Sequence, residues 1–258
     1  MAETASTEGS PACDNFARYF EIVPTLTPAL LDEVYSIRHQ VFCEDLGFEA
    51  TRPDRRENDE YDAQSLHLLI RSVNTGEYVG CTRIVRVRPE DAQSRMPFER
   101  ICAHAIDRTI VDPAALPRAT IGEVSRLSII AKYRKRKGEL KQPAAISSDD
   151  FGTQGHPRFP YIMVGLYFGA VELARLHGIE TLFFLTEPRL AEHFRKLGVE
   201  IRTIGAAIEH RGTRIPSMMN TGTILENLKT MLRPMYLTIA KEVDAAFPAL
   251  PVMPVMRA

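Results

Sequence analysis

"ATIGEVSRLSIIAKYRKRKGELK", residues 119–141, decides how this chain is read. Its first half, residues 119–130, has the apolar and β-branched character of a strand. Its second half gathers Lys132, Arg134, Lys135, Arg136, Lys137 and Lys141 around Gly138. A basic, Gly-bearing turn leaving an apolar strand can offer backbone N–H groups and positive charge to a phosphate. The same run in isolation reads as a solvated basic loop. The neighbouring elements have to choose between the two.

Upstream, "ARYFEIVP" reads as a first strand. Thr27-Pro28 is a helix start, with Thr as N-cap and Pro at the first helical position. Apolar residues then recur near helical spacing from Leu30 to Phe42, and Gly47 closes the helix. "ATRPDRRENDEYDAQ" is so highly charged that it reads as an exposed loop. "SLHLLIRSV", "NTGE" and "YVGCTRIVRV" form two strands and their turn, and "PFERICAHAID" a short helix.

Downstream, residues 141–158 are rich in Pro, Gly, Ser and Asp and read as a mobile loop. A helix closed by Gly178 follows, then the buried strand "IETLFFLT", then a helix from Pro188 to Gly198. "EIRTIGAAIEHRG" and "TRIPSMMN" read as a closing pair of strands. The tail from Thr223 to Phe247 reads as helical with a kink at Pro234. The order predicts a mixed α/β sheet flanked by helices, with a C-terminal helical extension. The expected division is a disordered tail over 1–15, one α/β domain over 16–220 and the extension over 221–258.

Composition narrows the function classes. The chain has 258 residues, 45% hydrophobic and 25% charged, as a globular domain does. A net charge of -1 gives no global field directed at nucleic acid or an anionic membrane. Cys13, Cys43, Cys81 and Cys102 are scattered, which argues against zinc and a disulfide framework and for a reducing cytoplasm. His67, His104, His156, His193 and His210 form no spaced metal motif, so no metal is expected. The N-terminus lacks the basic and apolar segments of a signal peptide, and no apolar run reaches membrane-spanning length. No G-x-G-x-x-G follows the first strand, which disfavours a dinucleotide fold.

The element order resembles the GNAT acyltransferase fold, in which the fourth strand leads into a phosphate-binding turn and helix. "ETLFFLTEPRLAEHFRKLGVEI" resembles a later strand and helix of that fold. Local motifs narrow the resemblance. Arg38-x-x-Val41-Phe42 followed by Phe48, then Asp59-x-x-Asp62, Arg83 and Glu123-x-Ser125-Arg126 are similar, in chain order, to the signature of acyl-homoserine-lactone synthases. They span roughly residues 18–130, and the GNAT-like pattern continues to about 219. Two departures stand out. Phe48 replaces a usual Trp, and the insertion 138–160 and long C-terminal helix look more like N-acyl amino acid synthases, in particular acyltransferases of PEP-CTERM/exosortase systems.

That resemblance implies an acyl donor carried on 4'-phosphopantetheine, either acyl-acyl-carrier protein or acyl-CoA. It implies no tightly bound cofactor, with an amino acid as acceptor in place of S-adenosylmethionine. Arg134, Lys135, Arg136, Lys137 and Gly138 become the candidate donor-binding turn, and the basic run a docking rim for an acidic carrier protein. Arg38, Phe42, Phe48, Asp59, Asp62, Arg83 and Arg126 become candidate substrate-binding residues.

The residues themselves support specific roles and leave alternatives open. Acylating an amine needs its free base, and Glu123 can take the proton as the amine attacks; it can equally salt-bridge Arg83 or Arg126. The oxyanion needs preorganised donors, and the strand at Ser128–Ile130 is a candidate source, with Ser128 beside the reaction. On a regular strand Glu123 and Ser125 face one side and Arg126 the other, so Glu123 and Arg126 share a pocket only across a bulge. Arg126 is then either an acceptor ligand or the partner of Asp59 or Asp62. On a continuous helix Arg38 and Phe42, four apart, share a face that can wall a cleft, with a structural buried Arg38 as the alternative. Met163, Met218, Met219, Met231 and Met235, with Ile224, Leu225, Leu228 and Leu232, fit a C-terminal helix that caps an acyl-chain pocket; the alternative is that this helix only packs on the sheet and each Met is ordinary core. The competing readings are a lactone synthase and a silent module that binds acylated carrier protein.

Overall fold

The computed structural model describes residues 16–88, 91, 93–134, 152–153, 156–157, 161–196 and 198–248. The expected N-terminal tail and most of the insertion lie outside them, as do Lys135, Arg136, Lys137 and Gly138. Ten strands are described. They are β1 (Phe20–Pro24), β2 (Ser65–Ser72), β3 (Tyr78–Arg86), β4 (Ile121–Ile129), β5 (Gly152–Thr153), β6 (His156–Pro157), β7 (Thr181–Thr186), β8 (Arg202–Thr203), β9 (Ile208–Glu209) and β10 (Thr213–Asn220). The helices include α1 (Pro28–Arg38), α2 (Pro97–Ile101), α3 (Tyr161–Leu176), α4 (Pro188–Lys196), α5 (Thr221–Asn227) and α6 (Arg233–Ala245).

The main sheet runs β1-β2-β3-β4-β7-β10-β8, with β9 paired to β10. Every pairing is antiparallel except β4 with β7, which is parallel. A parallel pair needs a long crossover, and the chain between β4 and β7 carries α3. β2 and β3 are buried along most of their length, so both faces of the sheet are covered. α1 lies on β2, β3 and β4, whereas α3 lies across β1, β2 and β3. α3 is buried nearly all round, as its apolar sequence requires. It packs closely at two glycines: a Cβ on Gly165 would sit 2.6 Å from Phe16, just before β1, and one on Gly169 would sit 2.9 Å from Ile22 of β1.

Three local expectations change. α1 begins as read, with the Thr27 hydroxyl accepting from Leu30 N and Pro28 in the first turn. At His39 it becomes a π-helix that runs to Asp45 before Gly47 turns the chain at φ +61°. The region read as a closing strand before β10 supplies only the two-residue β8 and β9. The C-terminal segment is not one kinked helix. Leu228 is extended, and Pro234 sits in the first turn of α6, where its missing N–H costs nothing.

α6 is core rather than cap. It buries Met235, Tyr236, Ile239, Ala240 and Val243 and packs on α3 and β1. The Tyr236 hydroxyl donates to the buried Glu172 carboxylate of α3, and Ile22 N of β1 donates to Glu242 at 2.9 Å. Ile239→Ala should therefore cost about 2–5 kcal/mol of unfolding free energy, read by urea denaturation. A loss within experimental error would show that α6 rests on the domain without being part of its core.

Candidate active site

β4 and β7 pair only at Ile121–Thr181, Gly122–Leu182 and Glu123–Phe183. Past Glu123 the strands part. The gap is a cavity of about 210 Å³, with Val124, Ser125, Arg126 and Leu127 on one side and Phe184, Leu185 and Thr186 on the other. Its walls are apolar, from Leu166, Tyr167 and Ala170 of α3, Leu190 and Phe194 of α4, and Ile201 and Met219. Among the described residues no lining side chain comes from α5 or α6, so the expected C-terminal cap is replaced by α3 and α4. Of the five methionines singled out, Met219 alone lines it.

Beside the cavity lies a buried ionic network. Arg38, at the end of α1, pairs with Glu57 and bonds Asp62 at 2.7 Å. Arg83, on β3, bonds Asp59 at 2.6 and 2.8 Å and Asp62 at 2.6 Å, and reaches Ser125 Oγ at 3.1 Å. Arg126, on β4, bonds Glu57 and Asp59, each at 3.1 Å. Three cations thus meet three anions. Burial by itself would raise all three carboxyls, but the arginines outweigh it: Asp62 is held at about 2, and Glu57 and Asp59 lie below their usual range. His67, packed beside Asp62, is pushed down to about 4 by burial and then by Arg38 and Arg83, so it is neutral.

The charged loop expected to be exposed is therefore ordered. Glu57 is 1% exposed, and its N–H donates to the Tyr35 carbonyl of α1 at 3.1 Å. Arg52 pins the loop further through Asn58 and the Arg56 carbonyl. Arg38 is fully buried and takes the structural position left open by the sequence, whereas Phe42 lines the cavity. The π-helical turn from His39 widens the helix and removes the four-residue alignment that would put both on one wall. Arg126 reconnects them by stacking on the Phe42 ring at 5.5 Å while sharing Glu57 with Arg38.

A bulge makes this possible. β3 and β4 pair at Arg83–Ser125 and at Cys81–Ser128, so β4 spends one extra residue between them. Arg126 sits in that interval at φ +55°. The left-handed region costs an L-residue roughly 1–2 kcal/mol, and two carboxylates hold the side chain there. The extra residue shifts the strand period, and Glu123 and Arg126 line one cavity. Ser128 does not join them. It is fully buried, and its hydroxyl donates to the Arg126 carbonyl at 3.0 Å, behind the bulge. The Ile130 N–H is spent on Val79 at 3.0 Å. The donors expected at Ser128–Ile130 thus belong to the strand, because past the bulge β4 pairs again with β3.

Glu123 is 4% exposed and accepts from the Phe98 N–H at 2.8 Å. Burial raises its carboxyl to about 8, against that hydrogen bond and the fields of Arg83 and Arg126. It makes no ion pair with either arginine, both of which are committed to the loop acids. A carboxyl that titrates near neutrality at the end of an apolar cavity can exchange a proton with a bound amine.

The mouth joins the expected Phe48, which lines the cavity, to residues that the sequence reading missed. Phe48 and Glu49, past the π-helix, meet Arg211 from the turn between β9 and β10. His210, Arg214 and Glu187 also line this end, with Arg214 and Glu187 paired at 2.8 Å. His210 carried no spacing signal, and burial lowers its pKa. "HRGTR" was read only as the junction of two closing strands. Arg134, the one described member of the proposed basic turn, is buried and paired with Asp45. Burial lowers its pKa and raises that of Asp45. Among the described residues there is no cluster of three or more metal-ligating side chains, and no helix is long and apolar enough to cross a membrane.

Residues 37–141 match the family model of the acetyltransferase (GNAT) domain. Solved structures with the same fold include the AHL synthase LasI, at 19% identity and TM-score 0.53 over 78% of this chain and 89% of that one. BjaI, a CoA-dependent acyl-homoserine lactone synthase solved with SAM and isopentyl-CoA, matches at 16% identity and TM-score 0.55 over 86% and 89%. FeeM, an N-acyl amino acid synthase from uncultured soil microbes, matches at 12% identity and TM-score 0.51 over 83% and 97%. No curated protein matches the chain by sequence. The fold is GNAT-like: a mostly antiparallel sheet flanked by helices, with further helices at the C-terminus.

Two measurements check this site. Glu57→Gln removes one of three anions facing three cations and leaves Arg38 and Arg126 undercompensated, so it should cost about 3–5 kcal/mol in urea denaturation at pH 7. For Glu123, the folded pKa of about 8 lies above the unfolded value of 4.5. Between those values the folded protein holds a proton that the unfolded chain has released, so stability falls as pH rises across that window. Wild-type Tm should drop more from pH 5 to pH 8 than that of Glu123→Gln. Parallel curves would place the Glu123 carboxyl in the ordinary range.

Proposed function

We propose that this protein is an N-acyltransferase that moves a fatty acyl chain from acyl-acyl-carrier protein or acyl-CoA to the amine of an amino acid. The observation that carries the reading is Glu123, a buried carboxyl raised to about 8 where β4 and β7 part, facing a cavity with apolar walls. The acyl chain lies along Leu166, Ala170, Leu190, Phe194 and Ile201. The thioester carbonyl sits at the parted edge of β4, where backbone donors along Val124–Leu127 meet the developing oxyanion.

The amine attacks the thioester carbon as its nitrogen loses a proton to Glu123, directly or through one water. The C–N bond forms, the tetrahedral intermediate collapses, the C–S bond breaks, and the thiol leaves with a proton. No acyl-enzyme is needed, and Cys81 and Cys102 are fully buried with thiols raised to about 12 by burial, which suits them poorly as nucleophiles. Lys135, Arg136, Lys137 and Gly138 keep the proposed role of donor-phosphate turn, and the basic run that of carrier-protein rim. The kinship with PEP-CTERM/exosortase acyltransferases rests on the insertion 138–160 and the C-terminal helices, and a cytoplasmic location accompanies it.

A second reading is an acyl-homoserine-lactone synthase, favoured by the likeness to LasI and BjaI. Mass spectrometry of lipids extracted from an overexpressing bacterial host separates the two. An N-acyl amino acid supports the first reading; an alkali-labile acyl lactone supports the second.

Glu123→Gln should lower acyl transfer by ~100- to 10,000-fold while the protein stays folded. In the wild type, kcat/KM corrected for the acceptor's free-base fraction should rise with pH and level near the Glu123 value of about 8. The variant should lack that limb. Turnover near wild type, with the limb intact, would remove Glu123 from the chemistry. Normal donor binding with no transfer by either protein would leave a binding module.

A further inference from the structure

Two arginines face each other at the cavity mouth across one carboxylate. Glu49 Oε1 pairs with Arg211 and lies 3.7 Å from Arg126 Nη2. Each arginine is stacked on a phenylalanine that lines the cavity, Arg126 on Phe42 at 5.5 Å and Arg211 on Phe48 at 5.7 Å. Stacking fixes the guanidinium plane and leaves its edge for a carboxylate. Both arginines hold left-handed backbone at φ +55°. Backbone in that region persists only where surroundings hold it, and it gathers at ligand clamps.

The charges show which carboxylate is surplus. Arg38, Arg83 and Arg126 are balanced by Glu57, Asp59 and Asp62 without Glu49. Glu57 and Asp62 have buried side chains, but that of Glu49 is 30% exposed and that of Arg211 28%. Glu49 can leave for solvent, provided another carboxylate replaces it on Arg211.

We infer that Glu49 occupies the subsite for the acceptor's own carboxylate, and that Arg211 and Arg126 clamp the α-carboxylate of an incoming amino acid when Glu49 swings out. This rests on the amino-acid reading above and makes it specific. An α-amino acid carries its amine on the carbon next to its carboxylate, so a carboxylate held at Arg126 keeps the amine on the side of the cavity lined by Glu123. The exchange of one carboxylate for another conserves the charge of the mouth. It selects free amino acids over amines and amides, since a neutral group would leave Arg211 unpaired once Glu49 is displaced.

The test uses the full chain with N-dodecanoylglycine and N-dodecanoylglycinamide as product probes in titration calorimetry, and transfer from dodecanoyl-CoA to the twenty amino acids by thiol release. Wild type should bind the acid ~10-fold or more tightly than the amide. Arg211→Ala, checked for an unchanged melting curve, should lose that preference by weakening the acid alone. Arg211→Lys should restore part of it, and Glu49→Gln should strengthen acid binding. Loss of acid and amide in equal measure would make the Arg211–Glu49 pair a structural staple. Weaker dodecanoyl-CoA binding with acid preference intact would assign Arg211 to a donor phosphate. Either result overturns the inference while amino-acid transfer stands. Wild type that binds neither probe and acylates no amino acid would overturn the amino-acid reading itself.

Discussion

Arg38, Arg83 and Arg126 come from a helix end, a strand and a strand bulge, and they converge on acids from one stretch of loop, Glu57, Asp59 and Asp62. Each of these side chains is costly to bury alone, and the cost is offset only when all six are in place. The set is neutral as a whole, so it can sit beside an apolar core without an uncompensated charge. It also dictates geometry. The loop must fold back over α1, Arg126 must leave the regular strand period, and α1 must end where Arg38 points inward. A hydrophobic core of the same volume would not impose those three conditions together.

The bulge and the parting of β4 from β7 are two consequences of one strand. Up to Glu123, β4 is held by both neighbours; past it, by β3 alone. The freed edge opens the cavity, and the extra residue at Arg126 aims a cation into it. Glu123 stays at the branch point, buried against Phe98, whose ring stacks on Phe183 of β7 at 4.7 Å. That position explains how one carboxyl escapes the ion network a few residues away. The arginines pair with the loop acids and not with Glu123, so desolvation outweighs the Phe98 N–H and the fields of Arg83 and Arg126 and raises its carboxyl to about 8.

The apolar and ionic halves of the site are built by different parts of the chain. α3 and α4 supply the apolar wall, and α6 supports α3 from behind through Tyr236 and Glu172 without touching the cavity. The loop after α1 and the β9–β10 turn supply the charged mouth. Changes in the wall and in the mouth can therefore act separately, one on the chain carried and the other on the group acylated.

The sequence alone determined the order and type of the main elements from β1 to α4. Thr27-Pro28, Gly47, Gly178, Pro188 and Gly198 mark helix boundaries through local backbone preferences, and these persist whatever packs around them. Resemblance also named Arg38, Phe42, Phe48, Asp59, Asp62, Arg83, Glu123 and Arg126 as candidates, from their order along the chain. Tertiary structure decided what each of them does. Whether Arg38 walls a cleft or supports it depends on a π-turn that no local preference announces, and Ser128 left the cavity because a bulge precedes it. Glu57, Glu49 and Arg211 carried no signal, because a charged residue in a charged loop is indistinguishable from a solvated one until its partner is placed. Glu49 and Arg211 meet across 162 residues of chain, and only the closed sheet brings them together.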